Sequence, residues 1–206
     1  MKINIGKTEL IHFVGIGGIG MSGLALIMDS LGFKIQGSDK SDNKNLNLLR
    51  KRKIPIYLNH NKQNIKNCTV LVVSSAIKKS NPEYRHAKKL NLPIYKRGEL
   101  LGHIVSLMKN IVVTGSHGKT TTTSILSNIM NYAKLDPTII NGGVLNSIGS
   151  SAKLGKSDWS LVESDESDGS FLQIPFNYSI ITNIDNEHLD YYLSLIHISE
   201  PTRLEL

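Results

Sequence analysis

Two glycine-containing turns and one acidic segment carry the residue types and spacings that could do chemistry in this sequence. The first turn is Gly15–Gly20 (GIGGIG), which has the spacing G-x-G-x-x-G, and Asp39 follows 24 residues after Gly15. Glycines at these positions permit a tight turn and let backbone N–H groups approach a diphosphate, whose charge a following helix N-terminus favours. The turn therefore predicts a nucleotide diphosphate ligand without selecting NAD. A glycine turn that serves only close packing of a strand and a helix is the alternative.

The second turn is Thr114–Thr120 (TGSHGKT), and it resembles a phosphate-binding P-loop. A Walker A loop has four residues between its first glycine and Gly-Lys, whereas only two residues intervene here. The shorter loop can still cradle phosphates with its backbone N–H groups. In it, Lys119 would reach the β- and γ-phosphates, and the Thr120 hydroxyl could bind Mg²⁺. The alternative is a capped helix with threonines in its first turn.

The acidic segment Glu163–Gly169 (ESDESDG) places four carboxylates within six residues. These charges repel one another unless a cation is present, and oxygen ligands beside a phosphate-binding loop suggest Mg²⁺. A second polar segment, Asn183–Asp190, contains His188, which could be another metal ligand or could pack structurally. A solvated acidic loop is the alternative to the metal site. Four further histidines lack any motif and are predicted to be structural: His12, His60, His86 and His103.

Short apolar runs alternate with longer helix-like stretches, and these elements must position the two turns. Such a β-α-β-α order implies a parallel sheet with helices on its faces, and hence an α/β fold. In the first half, strands are predicted at Leu10–Val14, Lys34–Gly37, Thr69–Ser74 and Ile94–Tyr95, and helices at Met21–Leu31, Lys44–Arg52, from Pro82 onward and at Glu99–Met108.

The same order restarts near residue 109. The second half has predicted strands at Asn110–Thr114, Trp159–Val162 and Tyr178–Thr182 and a helix at Lys119–Ala133. We therefore predict a Rossmann-like parallel-sheet domain over residues 1–108 and an incomplete P-loop-type α/β domain over residues 109–192. Residues 193–206 resemble a translated sequencing-adapter artefact, so they are predicted to be a non-native tail. A short native strand and loop is the alternative.

Composition excludes several classes of protein. The 206 residues carry a net charge of +7, but the basic residues do not form one block, which argues against a nucleic-acid-binding surface. No apolar run approaches the 18 residues of a membrane span, and the N-terminus lacks the apolar core of a signal peptide. The single cysteine, Cys68, excludes an internal disulfide. These features predict a cytoplasmic protein without a membrane or nucleic-acid partner.

Taken together, the motifs resemble those of the Mur ligases over residues 8 to about 192. The matching segments are Gly15–Gly23, Gly37–Asp39, Ser74–Ile77, Asn81–Glu83, Thr114–Thr122, Asn141–Gly143, Glu163–Phe171 and Asn183–Asp190. His117 and the first glycine turn are similar to those of the members that join L-alanine to UDP-N-acetylmuramate. Members that attach a whole tripeptide are the alternative within the family.

The resemblance implies an ATP-dependent amide ligase of peptidoglycan synthesis that forms an acyl-phosphate intermediate and uses Mg²⁺. It implies UDP-substrate binding by Gly15, Gly17, Gly18, Gly20, Asp39, Ser74 and Ser75. It implies ATP binding by Gly115, Ser116, His117, Gly118, Lys119, Thr120 and Thr121. It implies catalytic roles for Lys119, Glu163 and His188, and metal binding by Thr120, Glu163 and His188.

The family also has a C-terminal domain that closes over the site, and this chain resembles only the parts before it. We therefore expect the 206-residue chain to be inactive by itself. Two alternatives from other classes remain at this point. One is an NAD-type oxidoreductase, suggested by the first glycine turn alone, and the other is a non-catalytic nucleotide-binding fragment.

Overall fold

The computed structural model describes residues 5–145, 150–164 and 174–185, which form an α/β structure with two five-stranded sheets. The first sheet is parallel throughout and has the strand order β3-β2-β1-β4-β5. Its strands are β1 (Leu10–Val14), β2 (Lys34–Ser38), β3 (Ile56–Tyr57), β4 (Val70–Val73) and β5 (Ile94–Lys96). The order reverses direction between β1 and β4, and ligands of open α/β sheets bind at such a reversal.

Four helices follow strands or loops of the first sheet. They are α1 (Ile19–Ser30), α2 (Lys44–Lys51), α3 (Pro82–Lys89) and α4 (Arg97–Ser106). The Asn43 side chain caps α2, and the Asn81 side chain caps α3 by accepting the N–H groups of Glu83 and Tyr84. Pro82 occupies the first helical position, where its missing N–H costs no intrahelical hydrogen bond.

The apolar core extends from the first sheet into the second. Phe13 of β1 and Leu24 of α1 belong to the same buried cluster as Ile140 and Val162, which lie in the second half of the chain. Helix α1 contacts the first sheet on one side and strands of the second sheet on another, so most of its surface is apolar and buried. This packing brings the two halves of the chain into direct contact through α1.

The second sheet has the order β10-β6-β9-β7-β8 and is parallel except for the antiparallel pair β7–β8. Its strands are β6 (Lys109–Thr114), β7 (Thr138–Leu145), β8 (Ser150–Lys153), β9 (Trp159–Glu163) and β10 (Tyr178–Ile181). Helix α5 (Lys119–Tyr132) packs against β6, β7 and β9. The α/β class predicted for both halves is therefore confirmed.

The sequence prediction placed most elements within two residues of their observed ends but did not include β3, β7 and β8. Strand β3 has two residues, β8 is a short polar segment, and β7 contains two glycines and a register shift between Ile140 and Leu145. None of these has the apolar run or alternation that marks a strand. The domain boundary near residue 108 follows α4 and stays a prediction, and residues 193–206 lie outside the described residues.

Two findings bear on the environment of the chain. Among the described residues, every helix is too short or too polar to cross a bilayer. Cys68 is buried, and burial raises the pKa of its thiol to about 11, with a further contribution from the negative charge of Glu83. The Cys68 thiol is therefore protonated at neutral pH and a poor nucleophile.

Candidate functional site

The first glycine turn is fastened to the carboxyl end of β2. Gly15 adopts a left-handed φ of +81°, which suits glycine. The N–H groups of Gly15 and Ile16 both donate to the carbonyl oxygen of Ser38, at 2.8 and 3.0 Å. The next N–H, that of Gly17, donates to Oδ2 of Asp39 at 2.8 Å. Three consecutive amides of the turn are thus occupied by Ser38 and Asp39.

These hydrogen bonds leave few backbone N–H groups of the turn able to bind a diphosphate. The N–H groups of Gly15 and Gly17 are occupied within the protein, and that of Gly18 donates to the carbonyl of Gly15 at 3.2 Å. The N–H groups of Gly20 and Met21, in the first turn of α1, have no acceptor within the described residues. The first turn also contains no acidic residue. An anion would therefore bind at the start of α1 rather than along the whole turn.

Arg97, at the start of α4, lies beside the same helix end. A Cβ atom built on Gly20 would lie 3.2 Å from both Cδ and Nη1 of Arg97, so the side chain rests on the bare glycine backbone. A guanidinium beside a helix N-terminus adds its charge to the positive end of the helix dipole. The sequence analysis missed Arg97. The available signal was a basic residue directly after a strand, at the carboxyl edge of a parallel sheet.

The other residues predicted for this site converge on the same edge. Ser74 follows β4, and its Cβ lies 3.3 Å from a Cβ built on Gly15, while Ser75 is exposed to solvent. A Cβ on Gly17 would lie only 2.7 Å from Nδ2 of Asn43, so this position has no room for a side chain. The structure therefore brings the turn, Asp39 and the two serines to one edge of the sheet.

The second glycine turn joins β6 to α5 through two left-handed glycines. Gly115 has a φ of +127° and Gly118 a φ of +79°, and the helix begins at Lys119. The ammonium group of Lys119 folds back over the loop and donates to the carbonyl oxygens of Gly115, at 2.5 Å, and Ser116, at 3.2 Å. This compact loop at a helix N-terminus has the geometry expected of a phosphate-binding turn.

The end of β10 holds the second turn in place. Asn183 accepts the His117 N–H at 2.8 Å with Oδ1, and its Nδ2 donates back to the His117 carbonyl at 3.2 Å. The Thr182 hydroxyl donates to the same carbonyl at 2.6 Å. A Cβ on Gly115 would collide with the Thr182 hydroxyl. The sequence analysis did not assign Thr182 or Asn183 this positioning role, and no local pattern indicates a contact across more than 60 residues.

Two of the three residues predicted to bind metal lie in hydrogen-bond contact. The hydroxyl of Thr120, in the first turn of α5, donates to Oε1 of Glu163, at the end of β9, at 3.0 Å. His188 lies outside the described residues, as do Asp165, Glu166 and Asp168. Among the residues that the structure describes, there is no group of three histidine, cysteine or acidic side chains able to hold a metal.

Buried polar atoms without hydrogen-bond partners also occur on β7 and α5, the elements next to β9 and Thr120. Asn141 follows Ile140 on β7 as Glu163 follows Val162 on β9, and Ile140 and Val162 are in register. Both polar atoms of the Asn141 amide and the Thr123 hydroxyl on α5 are buried, and the structure gives them no hydrogen-bond partner. Unsatisfied buried polar groups are rare and costly. The Thr120 hydroxyl and the Glu163 carboxylate are oxygen ligands of the kind that Mg²⁺ prefers.

Comparison with known families gives two consecutive matches. Residues 10–109 match the description "Mur ligase family, catalytic domain", and residues 113–202 match "Mur ligase middle domain". The UDP-N-acetylmuramate–L-alanine ligase of Pelagibacter ubique is 65% identical over 97% of this chain. The protein of the same name from Bartonella henselae is 47% identical over 98% of the chain. The chain spans 43% and 42% of the lengths of these relatives.

Solved structures give the same result. The crystal structure of UDP-N-acetylmuramate-alanine ligase from Thermotoga maritima matches with a TM-score of 0.81 and 33% identity. The match covers 90% of this chain and 44% of that one. The UDP-N-acetylmuramate:L-alanyl-gamma-D-glutamyl-meso-diaminopimelate ligase of Neisseria meningitides also has a TM-score of 0.81, with 28% identity over 92% of this chain and 65% of that one.

Proposed function

Because the chain belongs to the Mur ligase family, we propose that it is part of an enzyme that joins L-alanine to UDP-N-acetylmuramate at the expense of ATP. One observation carries this proposal: two glycine turns, each followed by a helix N-terminus, lie in one chain at the carboxyl edges of two sheets. A ligase that activates a UDP-linked carboxylate with ATP needs two such sites. The relatives named as alanine ligases support the choice of amino acid.

We assign the UDP moiety to the first site. The start of α1 and Arg97 would bind the diphosphate, with Gly20 allowing close approach of the backbone. Asp39 would act mainly through the Gly17 N–H that it accepts. Ser74 and Ser75 follow β4 at the position where the strand order reverses, within reach of the same ligand.

ATP is assigned to the second site, where residues Gly115–Thr121 form the loop and the first turn of α5. Lys119 would exchange its contacts with the loop carbonyls for the β- and γ-phosphates. Thr120, Glu163 and His188 would hold Mg²⁺, which when bound neutralises charge on the phosphoryl oxygens.

The chemistry follows from these positions. The lactyl carboxylate oxygen attacks the γ-phosphorus, the bond to the β–γ bridging oxygen breaks, and ADP and an acyl phosphate form. The L-alanine amine then attacks the acyl carbon, loses a proton, and phosphate leaves as the amide forms. Negative charge is spread over the transferring phosphoryl oxygens, so Lys119 should contribute most strongly in that step. The substrates are small molecules, and we propose the cytoplasm as the site of the reaction.

The choice of nucleotide in the first site is directly testable with the 206-residue chain. We expect calorimetry to detect binding of UDP and UDP-N-acetylmuramate and no binding of NAD. Arg97→Ala should weaken UDP binding about tenfold or more, because a charge-assisted contact to the diphosphate is lost. Arg85→Ala removes an arginine from α3 and should leave the affinity unchanged. Binding of NAD without a response to UDP would instead support an oxidoreductase.

A second candidate within the family is a ligase that attaches a tripeptide. The Neisseria structure supports it, because its TM-score equals that of the Thermotoga alanine ligase. The higher sequence identity to the Thermotoga protein, 33% against 28%, favours L-alanine. Competition between L-alanine and the tripeptide in a product assay would separate the two.

A further inference from the structure

A group of buried polar side chains lies behind the first glycine turn, and the proposed function does not use it. Its centre is Glu83, in the first turn of α3, which is fully buried. Around it lie His12 of β1, Gln36 and Ser38 of β2, and His60 and Asn64 of the segment between β3 and β4. We refer to these six residues as the Glu83 cluster.

Glu83 accepts hydrogen bonds from several directions. Its Oε2 accepts the Ser38 hydroxyl at 2.6 Å and lies 3.1 Å from Nδ1 of His60. Its Oε1 accepts the side-chain amide of Asn64 at 2.7 Å and the N–H of Asn61 at 3.3 Å. Oε1 also lies 3.6 Å from Nε2 of His12. Such a set of donors surrounds a carboxylate anion and leaves little of its hydrogen-bonding capacity unused.

The partners also assign the protons on the two histidines. Nε2 of Gln36 lies 2.7 Å from the carbonyl oxygen of Asn64, which can only accept, and 3.0 Å from Nδ1 of His12. Nδ1 of His12 is therefore an acceptor, and the proton of that ring lies on Nε2, facing Glu83. Nδ1 of His60 lies 2.9 Å from the Ser38 hydroxyl oxygen. Because the Ser38 hydroxyl donates its proton to Glu83, Nδ1 of His60 is the donor in this contact and carries a proton. One arrangement of hydrogens thus satisfies the cluster.

Glu83 is ionised at neutral pH. Burial by itself would raise the pKa of this carboxyl group. Hydrogen bonds from His12, Ser38 and Asn64 outweigh burial and hold its pKa below the ordinary value. The cluster therefore contains a buried negative charge whose donors come from β1, β2 and the segment before β4.

Ser38 connects this charge to the glycine turn. Its hydroxyl donates to Glu83, and its carbonyl accepts the N–H groups of both Gly15 and Ile16. The following residue, Asp39, accepts the N–H of Gly17. We propose that Glu83 is a positioning residue for the diphosphate site: by fixing Ser38 it fixes the turn, and with it the start of α1. The ligand in this inference rests on the proposed function, whereas the positioning itself does not.

Glu83→Gln tests the inference with a nearly isosteric change. Both oxygens of Glu83 meet donors, and the glutamine would replace one of them with an NH₂ group. Either the Ser38 hydroxyl and the His60 ring or the Asn64 amide and the Asn61 N–H would then lose their acceptor, so the cluster must rearrange. Glu99→Gln is the matched control, because Glu99 also lies in the first turn of a helix but is exposed. Within the described part of the chain, its carboxylate accepts the N–H of Lys96 alone. Both variants are made in the 206-residue chain.

Two measurements report on positioning separately from folding. In Glu83→Gln, we expect the dissociation constant for UDP to rise about tenfold or more, while that for ATP stays unchanged. The amide ¹H–¹⁵N resonances of Gly15, Ile16 and Gly17 should shift without added ligand. Glu99→Gln should change neither quantity. General loss of structure would weaken binding of both nucleotides.

Ser38→Ala is the second variant, and it decides the matter if Glu83→Gln does not fold. It removes the hydroxyl that links the turn to Glu83 while keeping the Ser38 carbonyl, so the same three resonances should shift and UDP binding should weaken. Unmoved resonances and unchanged UDP affinity in a folded variant would overturn the inference. Failure of the unsubstituted chain to bind UDP would contradict the proposed function, and the ligand-free resonances would still decide whether Glu83 positions the turn.

Discussion

Lys119→Ala is expected to lower alanine-dependent phosphate release at least about 10²-fold, because negative charge on the transferring phosphoryl group loses the stabilising ammonium group of the loop. The assay would use a chimera of residues 1–192 of this chain with the remaining part of the Pelagibacter ubique ligase. The two sequences are 65% identical over the matched region, which favours a correctly packed chimera. Lys119 Nζ lies over the loop, 2.5 Å from the Gly115 carbonyl, and would exchange this contact for a phosphate oxygen.

The control for this substitution is Lys109→Ala. Lys109 begins β6 and forms an exposed ion pair with Asp158 at 3.4 Å, whereas Lys119 follows the other end of the same strand. Such a pair contributes little to stability, so the control should retain nearly full activity. UDP binding to the first site should survive in both variants. Turnover of Lys119→Ala equal to that of Lys109→Ala would eliminate the assignment of this loop to ATP.

Glu163→Gln should have the second large effect, again on the order of 10²-fold at a fixed low Mg²⁺ concentration, since a charged oxygen ligand becomes neutral. The Thr120–Glu163 hydrogen bond shows that both groups reach the same point between α5 and β9. Raising the Mg²⁺ concentration should recover part of the activity. The measurement is a Mg²⁺ titration of phosphate release by the chimera.

Asp158→Asn is the matched control, because Asp158 is exposed and comes just before the first residue of β9, whereas Glu163 is the last residue of that strand. Its Mg²⁺ requirement should equal that of the unsubstituted chimera. If the Glu163→Gln variant required the same Mg²⁺ concentration, the assignment of Glu163 to the metal site would be wrong.

The sequence was sufficient to predict the elements whose conformation depends on interactions between neighbouring residues. The strand at Leu10–Val14, the glycine turn and the helix after it follow from an apolar run, a glycine pattern and helical periodicity in adjacent residues. Asn81 and Pro82 likewise specify the start of α3 without help from distant residues. The same is true of the second turn, where Gly-Lys-Thr directly precedes a helical pattern.

What the sequence could not supply depends on contacts between distant residues. Asn183 lies 66 residues from His117, whose backbone it holds, and Glu83 lies 71 residues from His12. The turn residues also illustrate the limit of a motif. G-x-G-x-x-G suggests amides directed at a diphosphate, but the carbonyl of Ser38 and the carboxylate of Asp39 occupy the amides of Gly15, Ile16 and Gly17. Spacing alone does not reveal which acceptor an amide meets.

The most direct test of the proposed function is detection of the product by mass spectrometry. The chimera of residues 1–192 with the remaining part of the Pelagibacter ubique ligase would be incubated with UDP-N-acetylmuramate, L-alanine, ATP and Mg²⁺. Our account predicts UDP-N-acetylmuramoyl-L-alanine, formed with one ADP and one phosphate per molecule of product. A folded chimera that binds both nucleotides but yields no such product, or that accepts the tripeptide in preference to L-alanine, would contradict it.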